Sequence, residues 1–149
     1  MLISQSIKFR RLLLMIKLVY GPKGTGKTKQ LIDGANANVQ SAKGLSVFIT
    51  DTKRYMYDLK RDIRFVDVKD WNVSGEEALC GFVKGIAAGN GDYEYIYIDG
   101  IARIAGKELK DLASIFYMLD KVSAENGITV TITCSASKEE LPDFVAKYA

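Results

Sequence analysis

The segment Gly21–Thr28 reads GPKGTGKT, and the pattern G-x-x-x-x-G-K-[ST] suits one task, the capture of a polyphosphate. Gly21, Gly24 and Gly26 let the chain curl so that successive backbone N–H groups point inward at anionic oxygens. Pro22, Lys23 and Thr25 fill the remaining loop positions. A helix starting near Gly26 adds the positive end of its dipole. Lys27 can then reach β- and γ-phosphates as a point charge, and the Thr28 hydroxyl can join the shell of a Mg²⁺ ion. The predicted ligand is ATP or GTP with Mg²⁺. No NKxD stretch that would read a guanine base is present, so ATP is the first choice.

A second segment matches in order and distance. In YIYID, residues 95–99, four apolar residues precede Asp99. A carboxylate there would sit at the carboxyl end of a parallel strand, where sheets of this type bind ligands. Asp99 would hold a water ligand of Mg²⁺ and support the metal that bridges β- and γ-phosphates. Asp51 ends VFITD and has two readings, a carboxylate that positions an attacking water and the N-cap of a short helix over residues 52–59. Thr133 or Ser135, at the end of TVTITCSAS, could touch a γ-phosphate, although β-propensity explains Thr133 equally well. Arg54, Arg61, Arg64 and Arg103 are the candidate suppliers of transition-state charge. KRYMYDLKRD reads mainly as a solvated helix face. Arg103, four residues after Asp99, could lie near a γ-phosphate or at a subunit interface. Tyr93, Tyr95 and Tyr97 alternate on one strand face and read as packing, as does Trp71.

Composition closes other routes. The chain has no histidine and only two cysteines, Cys80 and Cys134, with no CxxC pair. Zinc sites and Ser-His or Cys-His catalysis are therefore not expected, and the thiols read as buried and reduced in a cytoplasmic protein. No run approaches the 18 or more apolar residues of a membrane span. The net charge of +3 arises in residues 1–14, which carry Lys8, Arg10 and Arg11 and no acid; 18 basic and 18 acidic residues remain from Met15 onward. A neutral body lacks the broad positive field that drives nucleic-acid binding.

The elements that must position these residues alternate. Short β-branched or aromatic runs at 16–20, 45–50, 64–68, 95–98 and 129–134 are separated by helical patterns, the signature of a parallel sheet covered by helices. Helices are expected from about Gly26, with Leu31, Ile32 and Ala35 inward, and from a Ser74–Glu77 capping box to about Ala88, with Ala78, Leu79, Phe82, Val83 and Ile86 inward. A third should span about Lys107 to Asn126 and close at Gly127. Ser137 and Glu140 suggest a further capping box that Pro142 curtails. The expected fold is α/β, three layers αβα, with one domain over residues 15–149 and a mostly parallel sheet of about five strands. Residues 1–14 are read as an extension, open to three roles: an upstream start or tail, a packed element, or a basic amphipathic anchor.

With both motifs in place, the chain from Met15 to about Ser137 resembles the P-loop NTPase superfamily, Gly21–Thr28 matching its Walker A loop and Asp99 its Walker B aspartate. The opening MIKLVYGPKGTGKT is similar to that of compact bacterial ATP-binding proteins. GPxxxGKT followed by Leu31-Ile32 is also similar to type II thymidine kinases, from which the chain departs in having Gly100 rather than glutamate after Asp99 and no cysteine pairs. The resemblance implies ATP–Mg²⁺ binding with slow or partner-dependent hydrolysis to ADP and phosphate, with a protein partner or a homo-oligomer possible and the source of any arginine finger left open. It leaves open a small-molecule or nucleoside kinase with Asp51 as base, and a non-catalytic nucleotide-responsive binding module.

Overall fold

The structure is a computed structural model that describes residues 15–149; the readings of residues 1–14 fall outside it. In chain order the elements are β1 (Ile16–Gly21), α1 (Lys27–Val39), β2 (Leu45–Thr50), β3 (Ile63–Asp67), α2 (Glu76–Gly89), β4 (Tyr93–Ile98), α3 (Ile101–Ala105), α4 (Ala113–Asn126), β5 (Thr129–Ser135) and α5 (Asp143–Ala146). The five strands form one sheet in the order β1-β5-β4-β2-β3, with every neighbouring pair parallel. A parallel sheet needs apolar cover on both faces. That is why β2 is buried from Ser46 to Thr50 rather than on alternate residues.

The cover is unequal. On one face Leu31, Ile32 and Ala35 of α1, with Leu59, pack on Phe48, Ile63 and Tyr97. On the other, Leu79 and Val83 of α2, Ile101 and Ile104 of α3, and Ile115, Phe116 and Leu119 of α4 pack on Ile49, Ile98, Val130 and Ile132. This is the expected three-layer αβα arrangement. No helix among the described residues is long and apolar enough to cross a membrane.

Several local expectations fail for identifiable reasons. Residues 52–59 form no helix beyond a single 3₁₀ turn at Met56–Asp58. The Asn36 side chain of α1 instead donates to the Asp58 carbonyl (2.8 Å) and accepts from the Lys60 N–H (2.9 Å), holding the segment open. The Ser74–Glu77 box does not form, because Gly75, with φ 91°, is the N-cap of α2 and its N–H goes to the Ile104 carbonyl. Ala78 is exposed, while Leu79 and Val83 are buried. The long helix expected from Lys107 begins only at Ala113. Ahead of it lie a 3₁₀ turn at Leu109–Asp111 and the short α3, which was not expected. The Ser137–Glu140 capping box does form, and Gly127 closes α4 with φ 66°.

Two packing expectations also need correction. A register shift at Leu45/Ser46 separates Tyr93 from its alternating partners, so it packs with the α2–α5 side while Tyr95 and Tyr97 stack on the α1 side. Trp71 is not a core residue but is 60% exposed.

Candidate functional site

Strand register builds the centre of the site. Ile98 aligns with Ile132 and Ile49 with Ile98, so Asp99, one residue on, lies level with Thr133 of β5 and Thr50 of β2. Side chains alternate along a strand. With Phe48 and Tyr97 facing α1, Thr50 and Asp99 must face α1 as well. Asp99 is 3% exposed and is ringed by hydroxyls. Thr133 Oγ1 donates to it at 2.8 Å, Thr28 Oγ1 at 3.0 Å and Thr50 Oγ1 at 3.4 Å. Thr133 Oγ1 also accepts from the Gly100 N–H at 2.8 Å, which fixes its orientation.

The glycine-rich loop leaves β1 beside this cluster. Gly24 and Gly26 hold φ of 82° and 84°, a left-handed conformation that other residues adopt at a cost. A β-carbon on Gly21 would lie 2.9 Å from Thr25 Oγ1. The Pro22 carbonyl accepts from both Thr25 Oγ1 (2.6 Å) and Lys27 Nζ (2.9 Å), so the Lys27 amine curls over the loop. The backbone N–H groups from Gly26 to Lys29, at the first turn of α1, have no protein hydrogen-bond partner among the described residues. Donors in this arrangement can bond an anion or water.

Loop and strand ends border an open cavity of about 840 Å³, within the roughly 300–1,000 Å³ of small-molecule sites. Lys23, Lys27, Lys29, Arg54, Lys69 and Arg103 line it against two carboxylates, Asp51 and Asp99. The excess of positive charge favours an anionic ligand.

Arg103 closes one side. Its guanidinium grips Asp51 through two bonds, Nε to Oδ2 at 2.7 Å and Nη2 to Oδ1 at 2.9 Å, and Nη2 lies 3.8 Å from Asp99 Oδ2. The hydrogen bonds from Arg103 hold the Asp51 carboxyl below the ordinary carboxylate range, against its partial burial, and Asp51 in turn raises Arg103. Gly100 makes this possible: at φ 82°, a β-carbon there would run into the Arg103 guanidinium. The glycine that follows Asp99 therefore has a steric role of its own.

The expected site residues converge here. Lys23, Gly24, Gly26, Lys27, Thr28, Asp51 and Asp99 line the cavity with Arg54, Arg103, Thr133 and Ser135, while Gly21, Pro22 and Thr25 shape the loop behind. Arg61 and Arg64 do not line it. Asp51 is not an N-cap, since the Thr52 hydroxyl accepts the Arg54 N–H in its place. Thr50, Tyr55 and Lys69 were not anticipated; the alternation from Phe48 could have flagged Thr50 only with the strand order known. Cys134 is buried, and burial pushes its thiol to about 11, so it is unreactive; Cys80 is half-buried, and both are free. Compared with known proteins, the chain matches no family model and no curated protein.

Proposed function

We propose that this cavity binds a nucleoside triphosphate, ATP in the first instance, together with Mg²⁺, and that the isolated chain hydrolyses it slowly to ADP and phosphate. One observation carries the reading: the Thr28 hydroxyl, at the end of the glycine-rich loop, meets the Asp99 carboxylate at 3.0 Å across 71 residues of sequence. Two sequence motifs are thus in contact beside a loop with unpaired N–H donors and a lysine whose amine rests on the Pro22 carbonyl.

The donor set suits Mg²⁺. That ion takes hard oxygen ligands and fills its shell largely with water and ligand phosphates, which one hydroxyl and one carboxylate leave room for. When bound, it would neutralise charge building on the transferred phosphoryl group. The chain's own residues do the rest. The N–H groups from Gly26 to Lys29 and the dipole of α1 hold the phosphates, and Lys27 leaves the Pro22 carbonyl for a phosphate oxygen. Thr50 and Thr133 keep Asp99 oriented. A water oxygen bonds to the terminal phosphorus as the bond to the bridging oxygen breaks. ADP leaves with that electron pair, and the water's protons end on phosphate and solvent.

Slow turnover follows from what surrounds the reaction centre. Gly100 offers no carboxylate, and Asp51 is occupied by Arg103, so no free base stands ready to orient water. The same pairing argues against Asp51 as the base of a kinase. An arginine from a protein partner or a second copy would raise the rate by orders of magnitude; without one, the chain would act as a nucleotide-responsive binding module. Reduced, shielded thiols suit a cytoplasmic setting.

The deciding experiment is nucleotide binding by Lys27→Ala. Among the described residues its amine has no partner but the Pro22 carbonyl, so the melting temperature should stay within a degree or two while triphosphate affinity falls about a hundredfold. Undiminished affinity in a folded variant would refute the assignment.

A further inference from the structure

The Asp51–Arg103 pair sits where a fixed structural strut is poorly placed. Its aspartate is only 19% exposed but its arginine side chain is 55% exposed, so a competing anion can reach the guanidinium from the solvent side. Its two members belong to different segments, Asp51 following β2 and Arg103 lying in the middle of α3, and both line the cavity. The base of the arginine is rigid: Ile101, Ile104 and Ala105 of α3 are buried, and the Ile104 N–H closes on the Gly100 carbonyl at 3.0 Å. The guanidinium itself lies over Gly100, which has no side chain to block it, 3.5 Å from the Asp99 carbonyl and 3.8 Å from its carboxylate. It can therefore change partners by side-chain rotation alone.

Resting on the nucleotide reading above, we propose that Arg103 is a latched specificity residue: Asp51 holds it at the cavity wall, and the terminal phosphate of a bound nucleoside triphosphate takes it over. The planar fork of arginine matches carboxylate and phosphate alike. A terminal phosphate carries more charge and more acceptor oxygens than Asp51, and so wins the exchange. A diphosphate lacks the group that would reach Arg103, and leaves the latch closed. The exchange brings a cation to the terminal phosphate and so makes the site respond to its presence.

The test compares, by calorimetry on the full chain with Mg²⁺, the affinities for ADP and for a non-hydrolysable ATP analogue. Arg103→Ala should lower the preference for triphosphate over diphosphate about tenfold or more, and Arg103→Lys, which keeps the charge and loses the fork, should lower it less. Asp51→Asn removes the competing charge without changing shape and should tighten the analogue severalfold while moving ADP less than twofold. A preference within twofold of wild type in Arg103→Ala, or an analogue affinity unchanged or weakened in Asp51→Asn, overturns the latch. A plain strut would lower the melting temperature of both variants and leave the preference alone. The two readings fail separately. ADP binding that persists undiminished in Lys27→Ala removes the nucleotide site, whereas its loss there with an unchanged preference in Arg103→Ala removes only the latch.

Discussion

Asp99 and Asp67 occupy equivalent places. Each stands at the carboxyl end of a parallel strand, β4 and β3 respectively, and they are 3% and 5% exposed. Their surroundings differ. Asp67 accepts from the Lys53 ammonium at 2.9 Å and the Lys69 N–H at 3.0 Å, and Lys53 reaches on to Asp70. Burial pushes the Asp67 carboxyl up, but the Lys53 ammonium and Lys69 N–H outweigh it and hold the group below the ordinary range. Among the described residues Asp99 has no ammonium in contact; it has three threonine hydroxyls and a guanidinium at 3.8 Å that is engaged elsewhere. A hydroxyl can rotate from donor to acceptor when a cation arrives, and an ammonium cannot. The position at a strand end is common to both carboxylates, and the proposed function assigns the metal to the one that its own chain has not already paired.

The largest effect expected from this contrast is in activity. Asp99→Asn should lower Mg²⁺-dependent ATP turnover by about a hundredfold or more, the scale on which one preorganised electrostatic group acts. Its melting temperature should hold or rise, because a buried charge has been removed. Asp67→Asn should leave turnover within about twofold of wild type. Comparable losses of turnover in the two variants would erase the distinction.

How much of this was legible in the sequence depended on how local each cause is. The glycine loop, Asp99 and the α1 face at Leu31, Ile32 and Ala35 are written in consecutive or periodic residues, and the βα alternation carries the fold class. The hydroxyl ring around Asp99 is not local. Thr50 joins it because β2 lies next to β4, an adjacency between elements that pattern does not give. The same holds for Arg103, whose role needs the end of β2 brought beside α3. The failed helix over residues 52–59 makes the point from the other side. Its residues have adequate helical spacing, but Asn36, on a different element, supplies the hydrogen bonds that keep it open. Trp71 misled because an aromatic residue usually reports burial, and here it follows β3, an edge strand, and faces solvent.

A smaller effect isolates the Asp99 side of the comparison. Gly100→Ala places a β-carbon against the Arg103 guanidinium at a positive φ, costing on the order of 1–2 kcal/mol for the backbone alone, or roughly 2–8 °C in melting temperature for a domain of this size. The steric share should vanish when Arg103 is also replaced by alanine. A double-mutant cycle with equal costs in both backgrounds would mean that Gly100 is required for its φ and not for the arginine.

The smallest effect concerns the saturated carboxylate. Asp67→Asn should lower the melting temperature by about 2–4 °C at neutral pH, the equivalent of roughly 1 kcal/mol for a lost charge-assisted hydrogen bond. The sign of its pH dependence follows from the depressed folded value. Stability from a carboxylate of this kind is present above the unfolded value of about 3.9 and is lost as pH falls through the folded one. The gap between wild type and variant should therefore be flat from pH 7 to about 5 and close below about 4. On the alkaline side, Lys53 is raised by its hydrogen bonds to Asp70 and Asp67, so the gap persists past about 10.5 and closes only as pH rises through that raised value. Melting curves from pH 2.5 upward measure this directly. A gap that survives acid would show Asp67 acting through its neutral hydrogen bonds, and the Lys53 pairing that sets it apart from Asp99 would then be incidental.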